Sequence, residues 1–162
     1  MKKLVILLLL SPLLLLLTGC PYNSKVPLSA VPKIPIDKSL LGTWKSFDDK
    51  DSTEMKVLEF NSKEYYVYIR SVSKGALEVD HYRAYISVVG KEKIVNFEDL
   101  KQKGEFNFFR YKQEGDKIKV QVVSDVAVKD KYASPKSMTK AFSKKINEKD
   151  FFESELVFVR KK

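Results

Sequence analysis

The chain contains a single histidine, His81, which is the first residue to consider for acid–base chemistry. It lies in the sequence Glu78-Val79-Asp80-His81-Tyr82, where two carboxylates are close to a potential general base. The surrounding residues favour a β-strand, and successive side chains of a strand point to opposite faces of the sheet. Asp80 and His81 are therefore predicted to face apart, and we expect an exposed or hydrogen-bonded histidine without a catalytic role.

The remaining polar residues do not form a recognisable metal or nucleophile motif. The densest acidic cluster contains Asp48, Asp49, Asp51 and Glu54, but Lys50 interrupts it and the glycine of a calcium loop is missing. The sequence also has no Gly-x-Ser-x-Gly, phosphate-binding loop or His-x-x-x-His. We predict a turn at the acidic cluster, no metal, no cofactor and no enzymatic activity.

The only cysteine, Cys20, ends a leader that has a basic start and an apolar run over residues 4–17. Residues 17–20, Leu-Thr-Gly-Cys, resemble the lipobox of bacterial lipoproteins, which implies a signal peptide over 1–19 and acyl chains on Cys20. The alternative is a transmembrane helix, but a span needs about 20 apolar residues. We expect a membrane anchor on Cys20 in the bacterial cell envelope. The resemblance places it at the outer membrane if the cell has one, and otherwise on the outer face of the cell membrane.

The charge of the chain is positive but dispersed. The formal net charge is +9, and removal of residues 1–19 would lower it to +7 because Lys2 and Lys3 are lost. The lysines are scattered along the sequence, whereas nucleic-acid binding requires a clustered basic stripe or a known motif. We therefore expect no nucleic-acid partner, and a surface weakly attracted to anionic headgroups or glycans.

Short runs rich in Val, Ile, Tyr and Phe alternate with turn residues from Leu40 onward. This pattern is typical of an antiparallel sandwich or barrel. We predict eight strands in a domain over residues 39–162, joined by short hairpin loops. The predicted strands are 42–48, 54–61, 64–72, 78–89, 92–98, 105–113, 117–124 and 154–161.

Two further segments flank these strands. Residues 20–38 are rich in proline and predict either an extended tether of roughly 50 Å or a segment lying against the domain over 31–36. Ser134-Pro135 is a helix-start signal, and Met138, Ala141 and Phe142 follow at helical spacing. We predict one amphipathic helix of about 12 residues before the last strand, packed on a side or an end of the sheet.

The first predicted strand opens with Leu40-Leu41-Gly42-Thr43-Trp44, and its Gly-x-Trp resembles the lipocalin signature. The resemblance implies an eight-stranded up-and-down barrel in which Gly42 allows close approach and Trp44 plugs the floor. It also implies an arginine stacked on the tryptophan, for which Arg160 and Arg110 are the candidates. The lipocalin Thr-Asp-Tyr motif is absent. The opening also resembles that of uncharacterised bacterial lipoproteins.

The aromatic residues decide whether such a barrel is hollow. An eight-stranded barrel is just wide enough to fill with side chains or to hold one small ligand. We favour a filled core, and name six aromatic residues as candidate interior, ligand-lining positions. They are Tyr66, Tyr68, Tyr82, Phe106, Phe108 and Phe158.

The resulting functional expectation is a monomeric, membrane-anchored lipoprotein without enzymatic activity. A lipocalin-like barrel implies binding of a small apolar molecule, which is an analogy of fold. The alternative is a filled barrel that presents its loops or lysine-rich surface to an envelope protein or glycan. A cavity of at least about 300 Å³ would favour the first hypothesis.

Overall fold

A computed structural model describes residues 21–47, 52–73, 75–129, 131–153 and 155–161. The leader, Cys20 and Asp48 to Asp51 lie outside these ranges. Within the described part of the chain, no helix is long and apolar enough to cross a membrane.

The fold is a closed antiparallel barrel in which each strand pairs with its sequence neighbours and β1 pairs with β8. This confirms the predicted eight-stranded barrel. The strands are β1 Gly42–Phe47, β2 Ser52–Asn61, β3 Glu64–Ser73, β4 Ala76–Val89, β5 Glu92–Asp99, β6 Phe106–Glu114, β7 Lys117–Val122 and β8 Leu156–Arg160.

The helix α1, Pro135–Lys145, precedes the last strand as predicted. The Ser134 hydroxyl caps it by accepting a hydrogen bond from the Ser137 amide. Its buried residues Met138 and Phe142 pack on the outer face of the sheet, against Phe108 and other outward side chains. The helix therefore covers a side of the barrel.

The strand directions define two ends of the barrel. The floor end carries the start of β1, the end of β8 and the β2–β3, β4–β5 and β6–β7 hairpins. The other end carries the β3–β4 and β5–β6 connections, the end of β7 and the start of β8. We call this second end the open end.

The segment 21–38 lies along the outside of the barrel. Tyr22 and Leu28 are buried in the cluster beneath α1, and Ile34 and Ile36 pack against the barrel-core cluster. In the described part of the chain, contact with the barrel is present from residue 21 and is not confined to the predicted 31–36. The proline-rich segment is part of the folded unit.

Two separate apolar clusters hold the barrel and its cover together. One lines the barrel interior and its floor around Trp44, Val67 and Ile86, and the other lies outside β4 to β7 under α1. Their separation follows from strand alternation, because odd and even residues of one strand face opposite sides. In β6, for example, Phe109 faces the interior whereas Phe108 faces the helix.

Candidate functional site

The barrel encloses a cavity of about 420 Å³. The filled core favoured from the sequence is therefore wrong, and the volume exceeds the roughly 300 Å³ at which small-molecule sites begin. Most lining residues are apolar. The lining consists of Leu40, Ser46, Thr53, Met55, Val57, Tyr65, Val67, Ile69, Ala84, Val95, Phe97, Phe109, Tyr111, Ile118, Val120, Leu156 and Phe158.

The cavity opens at one end, as the exposure of its lining along individual strands shows. On β8, Phe158 is 8% exposed whereas Leu156, one step nearer the open end, is 53% exposed. On β3, Val67 is buried and Ile69 is half-buried. The same gradient runs from Ile118 to Val120 on β7 and from Trp44 to Ser46 on β1.

The floor is closed by Trp44, which is fully buried and donates from Nε1 to the Leu40 carbonyl at 2.8 Å. The Arg160 guanidinium carbon lies 4.1 Å from the centre of the Trp44 ring, which is a cation–π contact. The same guanidinium donates to the Leu41 and Ser39 carbonyls at 2.7 and 2.5 Å. These bonds tie the end of β8 to the turn that enters β1.

Gly42 is required by this arrangement. Its φ of +133° is a conformation that residues with a Cβ rarely adopt, and a Cβ there would lie 2.6 Å from Arg160 Nη1. The other candidate arginine, Arg110, lies instead over the Phe152 ring at 3.9 Å. Of the two arginines, it is Arg160 that stacks on Trp44.

A polar group lies beside the floor, where the chain enters the barrel. Asp37 accepts a hydrogen bond from the Tyr111 hydroxyl at 3.1 Å, and its amide donates to the Tyr65 hydroxyl at 2.5 Å. Burial opposes ionisation of Asp37, but the Ser39 hydroxyl and amide and the Tyr111 hydroxyl outweigh it, and the pKa of Asp37 is lowered. Burial raises the pKa of Tyr65 to about 12. Burial raises the pKa of Tyr111 as well, so both tyrosines stay neutral near neutral pH, and their hydroxyls are already hydrogen-bonded.

Of the six aromatic residues predicted to line the interior, Phe158 alone lines the cavity. Tyr66 and Tyr68 point outward and pack on His81, at ring-centroid distances of 5.9 and 5.4 Å. The prediction for these two is wrong because β3 faces the interior with Tyr65, Val67 and Ile69. The sequence signal for the inward face of β3 is the pair of β-branched residues Val67 and Ile69, which alternate in phase with Tyr65. The neighbouring tyrosines, Tyr66 and Tyr68, obscured this signal.

The other three candidates also lie away from the cavity surface. Phe106 and Phe108 belong to the outer cluster beneath α1, so their predicted interior placement is wrong. Tyr82 packs against the barrel-core cluster, with its ring 5.5 Å from that of Phe97, but does not line the cavity. Strands covered on both faces carry bulky residues on both, so aromatic content does not reveal the inward face.

His81 is held outside the barrel by a hydrogen bond of 2.5 Å between its Nδ1 and the Tyr66 hydroxyl. Asp80 instead accepts a hydrogen bond from Lys101 at 2.8 Å. The two neighbours therefore have separate partners, as alternation predicted. Among the described residues, no group of three or more His, Cys, Asp or Glu could hold a metal.

Comparison of the chain with models of protein families, with curated proteins and with solved structures gave no match.

Proposed function

We propose that this protein is a lipid-anchored envelope protein that binds a single-chain amphiphile, such as a fatty acid, in a lipocalin-like barrel. The observation that carries the proposal is the hollow interior of about 420 Å³ with its almost entirely apolar lining. The anchor on Cys20 rests on the lipobox resemblance. The alternative of a filled barrel loses its premise because the interior is not filled.

The distribution of polar groups supports entry of the ligand with its tail first. Ser46 and Thr53 are the hydroxyl-bearing aliphatic residues of the lining, and both lie near the open end. The polar groups nearest the floor, on Tyr65 and Tyr111, are already bonded to Asp37. A headgroup is therefore better accommodated at the mouth, and the chain beneath it.

The apolar lining supplies the main driving force for such binding. Burial of a methylene contributes about 0.8 kcal/mol, so a chain of about nine carbons gains up to roughly 7 kcal/mol. Loss of translational and rotational freedom offsets part of this gain. The remainder is compatible with reversible binding, as expected of a carrier.

The proposal is tested by filling the cavity. Ala84 lines it and is 1% exposed, so Ala84→Phe places a ring in the empty space. We expect decanoic acid to raise the melting temperature of the wild type in proportion to RT ln(1 + [L]/Kd), and to leave that of Ala84→Phe unchanged. Native mass spectrometry of both proteins reads out the bound ligand directly.

The matched control is Ala133→Phe, the same substitution at an exposed position outside the barrel, which should retain the wild-type response. Val67→Phe provides a second cavity-filling variant if Ala84→Phe does not fold, as judged by far-ultraviolet circular dichroism. An equal response in the wild type and the filled variants would show that the fatty acid binds elsewhere. A wild type that binds no apolar probe would contradict the proposal.

A further inference from the structure

The N-terminal segment starts at the open end of the barrel. Pro21 forms an antiparallel bridge with Ser124, two residues beyond the end of β7. The Tyr22 amide donates to the Val123 carbonyl at 2.9 Å. Pro21 itself is exposed. The described chain therefore begins beside the mouth of the cavity, on the side of β7.

From this point the segment descends to the floor. Ser24 bridges Phe106 at the start of β6, and the Leu28 amide donates to Asn96 on β5 at 2.9 Å. The Ile36 amide then reaches the Ser62 carbonyl in the β2–β3 hairpin, at the floor end. Residues 21–36 therefore run along the outside of the barrel from the open end to the floor. They do not form a spacer between the barrel and the membrane.

This path fixes where an anchor on Cys20 would act. Cys20 directly precedes Pro21 in the sequence. Acyl chains on Cys20 would therefore enter the bilayer next to the open end. The floor, with Trp44 and Arg160, lies at the opposite end of the barrel.

The open end presents apolar side chains to solvent. They come from four separate parts of the chain, the start of β4, the β5–β6 connection, the segment after β7 and the start of β8. We call this set the apolar rim, and its members are Leu77, Leu100, Val126 and Leu156, which are 54%, 37%, 56% and 53% exposed.

Two acidic groups near this rim are paired. Asp80 forms an ion pair with Lys101 at 2.8 Å, and Glu105 forms one with Lys25. Pairing lowers the cost of bringing these carboxylates close to a lipid surface. Exposed apolar residues also occur at the floor end, namely Leu58, Phe60 and Val88, but the described chain starts at the opposite end, where Pro21 pairs with Ser124.

We propose that the open end of the barrel rests on the bilayer, with the apolar rim in the headgroup region and the mouth of the cavity facing the lipid. This inference rests on the lipid anchor of the proposed function. The acyl chains on Cys20 would hold the open end at the bilayer, and the exposed apolar rim beside them is surface that the headgroup region can bury. With the mouth against the leaflet, an amphiphile passes between bilayer and cavity without crossing water.

The orientation is tested on the full-length lipoprotein extracted from membranes and reconstituted in phosphatidylcholine vesicles that contain brominated lipid. Single cysteines at the rim, Leu100→Cys and Leu156→Cys, carry an environment-sensitive fluorophore. Interfacial apolar residues insert roughly 5–10 Å into the headgroup and acyl boundary, so we expect blue-shifted emission and loss of fluorescence to the bromine atoms at both positions.

Phe60→Cys is the matched control, because Phe60 is 66% exposed at the floor end. Its label should keep the emission of the protein in detergent. The intact mass of the same samples reports acylation of Cys20 separately. A sample without acyl mass contradicts the anchor and, with it, the orientation. An acylated sample with quenching at Phe60→Cys, or with none at the rim, contradicts the orientation alone.

Discussion

Arg160 makes three contacts at the barrel floor through its planar guanidinium group. Its guanidinium lies on Trp44 and donates to two carbonyls of the turn before β1. The close approach is available only because Gly42 has no Cβ. The three residues therefore act together, and their energies are not additive.

This coupling predicts the outcome of a double-mutant cycle. Gly42→Ala forces the new Cβ against Arg160 Nη1 and imposes a backbone conformation costing about 1–3 kcal/mol. In an Arg160→Ala background only the backbone cost remains. We expect Gly42→Ala to destabilise the wild type more than it destabilises Arg160→Ala, by about 0.5–3 kcal/mol, in urea unfolding. Equal costs in both backgrounds would show that the contact is unimportant.

Asp37 makes stability dependent on pH on the acid side. Its pKa is lowered from 3.8, so the folded state favours the ionised form. The stabilisation is then present above pH 3.8 and is lost as pH falls through the lower, folded-state pKa. Asp37→Asn should melt at a lower temperature than the wild type near neutral pH, and the difference should shrink on acidification.

Melting temperatures measured across this acid range for both proteins check the prediction. Asp150→Asn, at an exposed position after α1, controls for the loss of one negative charge. A difference between wild type and Asp37→Asn that stays constant with pH would mean that Asp37 stabilises through shape and not through charge.

Asn96 links the N-terminal segment to the barrel wall through hydrogen bonds. It is fully buried, accepts from the Leu28 amide and donates to the Tyr85 carbonyl and the Ser87 hydroxyl at 3.2 and 2.8 Å. A buried polar side chain of this kind fixes the position of one element on another, because any shift leaves its partners unsatisfied.

Asn96→Ala should therefore release the segment. We expect a loss of about 1–3 kcal/mol for each buried group left unpaired, together with faster proteolysis within residues 21–30. Urea unfolding and limited proteolysis with mass analysis measure the two effects. Asn147→Ala, at an exposed position, is the control. Unchanged cleavage in Asn96→Ala would show that apolar contacts of Tyr22 and Leu28 hold the segment alone.

The strands and the helix could be predicted from the sequence because turn and helix-start residues mark their ends. Gly90 and Gly115, with φ of +63° and +62°, form turns that the sequence signals directly, and Ser134-Pro135 marks the start of α1. The path of residues 21–38 could not be predicted, because prolines suit a free tether and a docked extended segment equally. Contacts with residues far away in sequence decide it, among them the hydrogen bond from the Leu28 amide to Asn96.

For the molecule as a whole, the closed barrel could be predicted from the sequence, but the volume of its interior and the residues that line it could not. The volume of a barrel interior depends on strand tilt and stagger, which no local pattern encodes. The inward face of each strand depends on which side is covered. Since α1 and the N-terminal segment cover the outside of β4 to β7, apolar residues such as Phe106 and Phe108 are buried there without reaching the cavity.

The pairing of β1 with β8 also has a consequence for the timing of folding. Trp44 lies opposite Arg160, so β1 cannot pair on this side, and the barrel cannot close, until β8 is available. Contacts this distant in sequence form slowly. A ribosome or a translocation channel would therefore release almost the entire polypeptide before it becomes compact. For the lipid-anchored protein proposed above, such delayed closure would keep the chain unfolded enough to pass through a translocation channel.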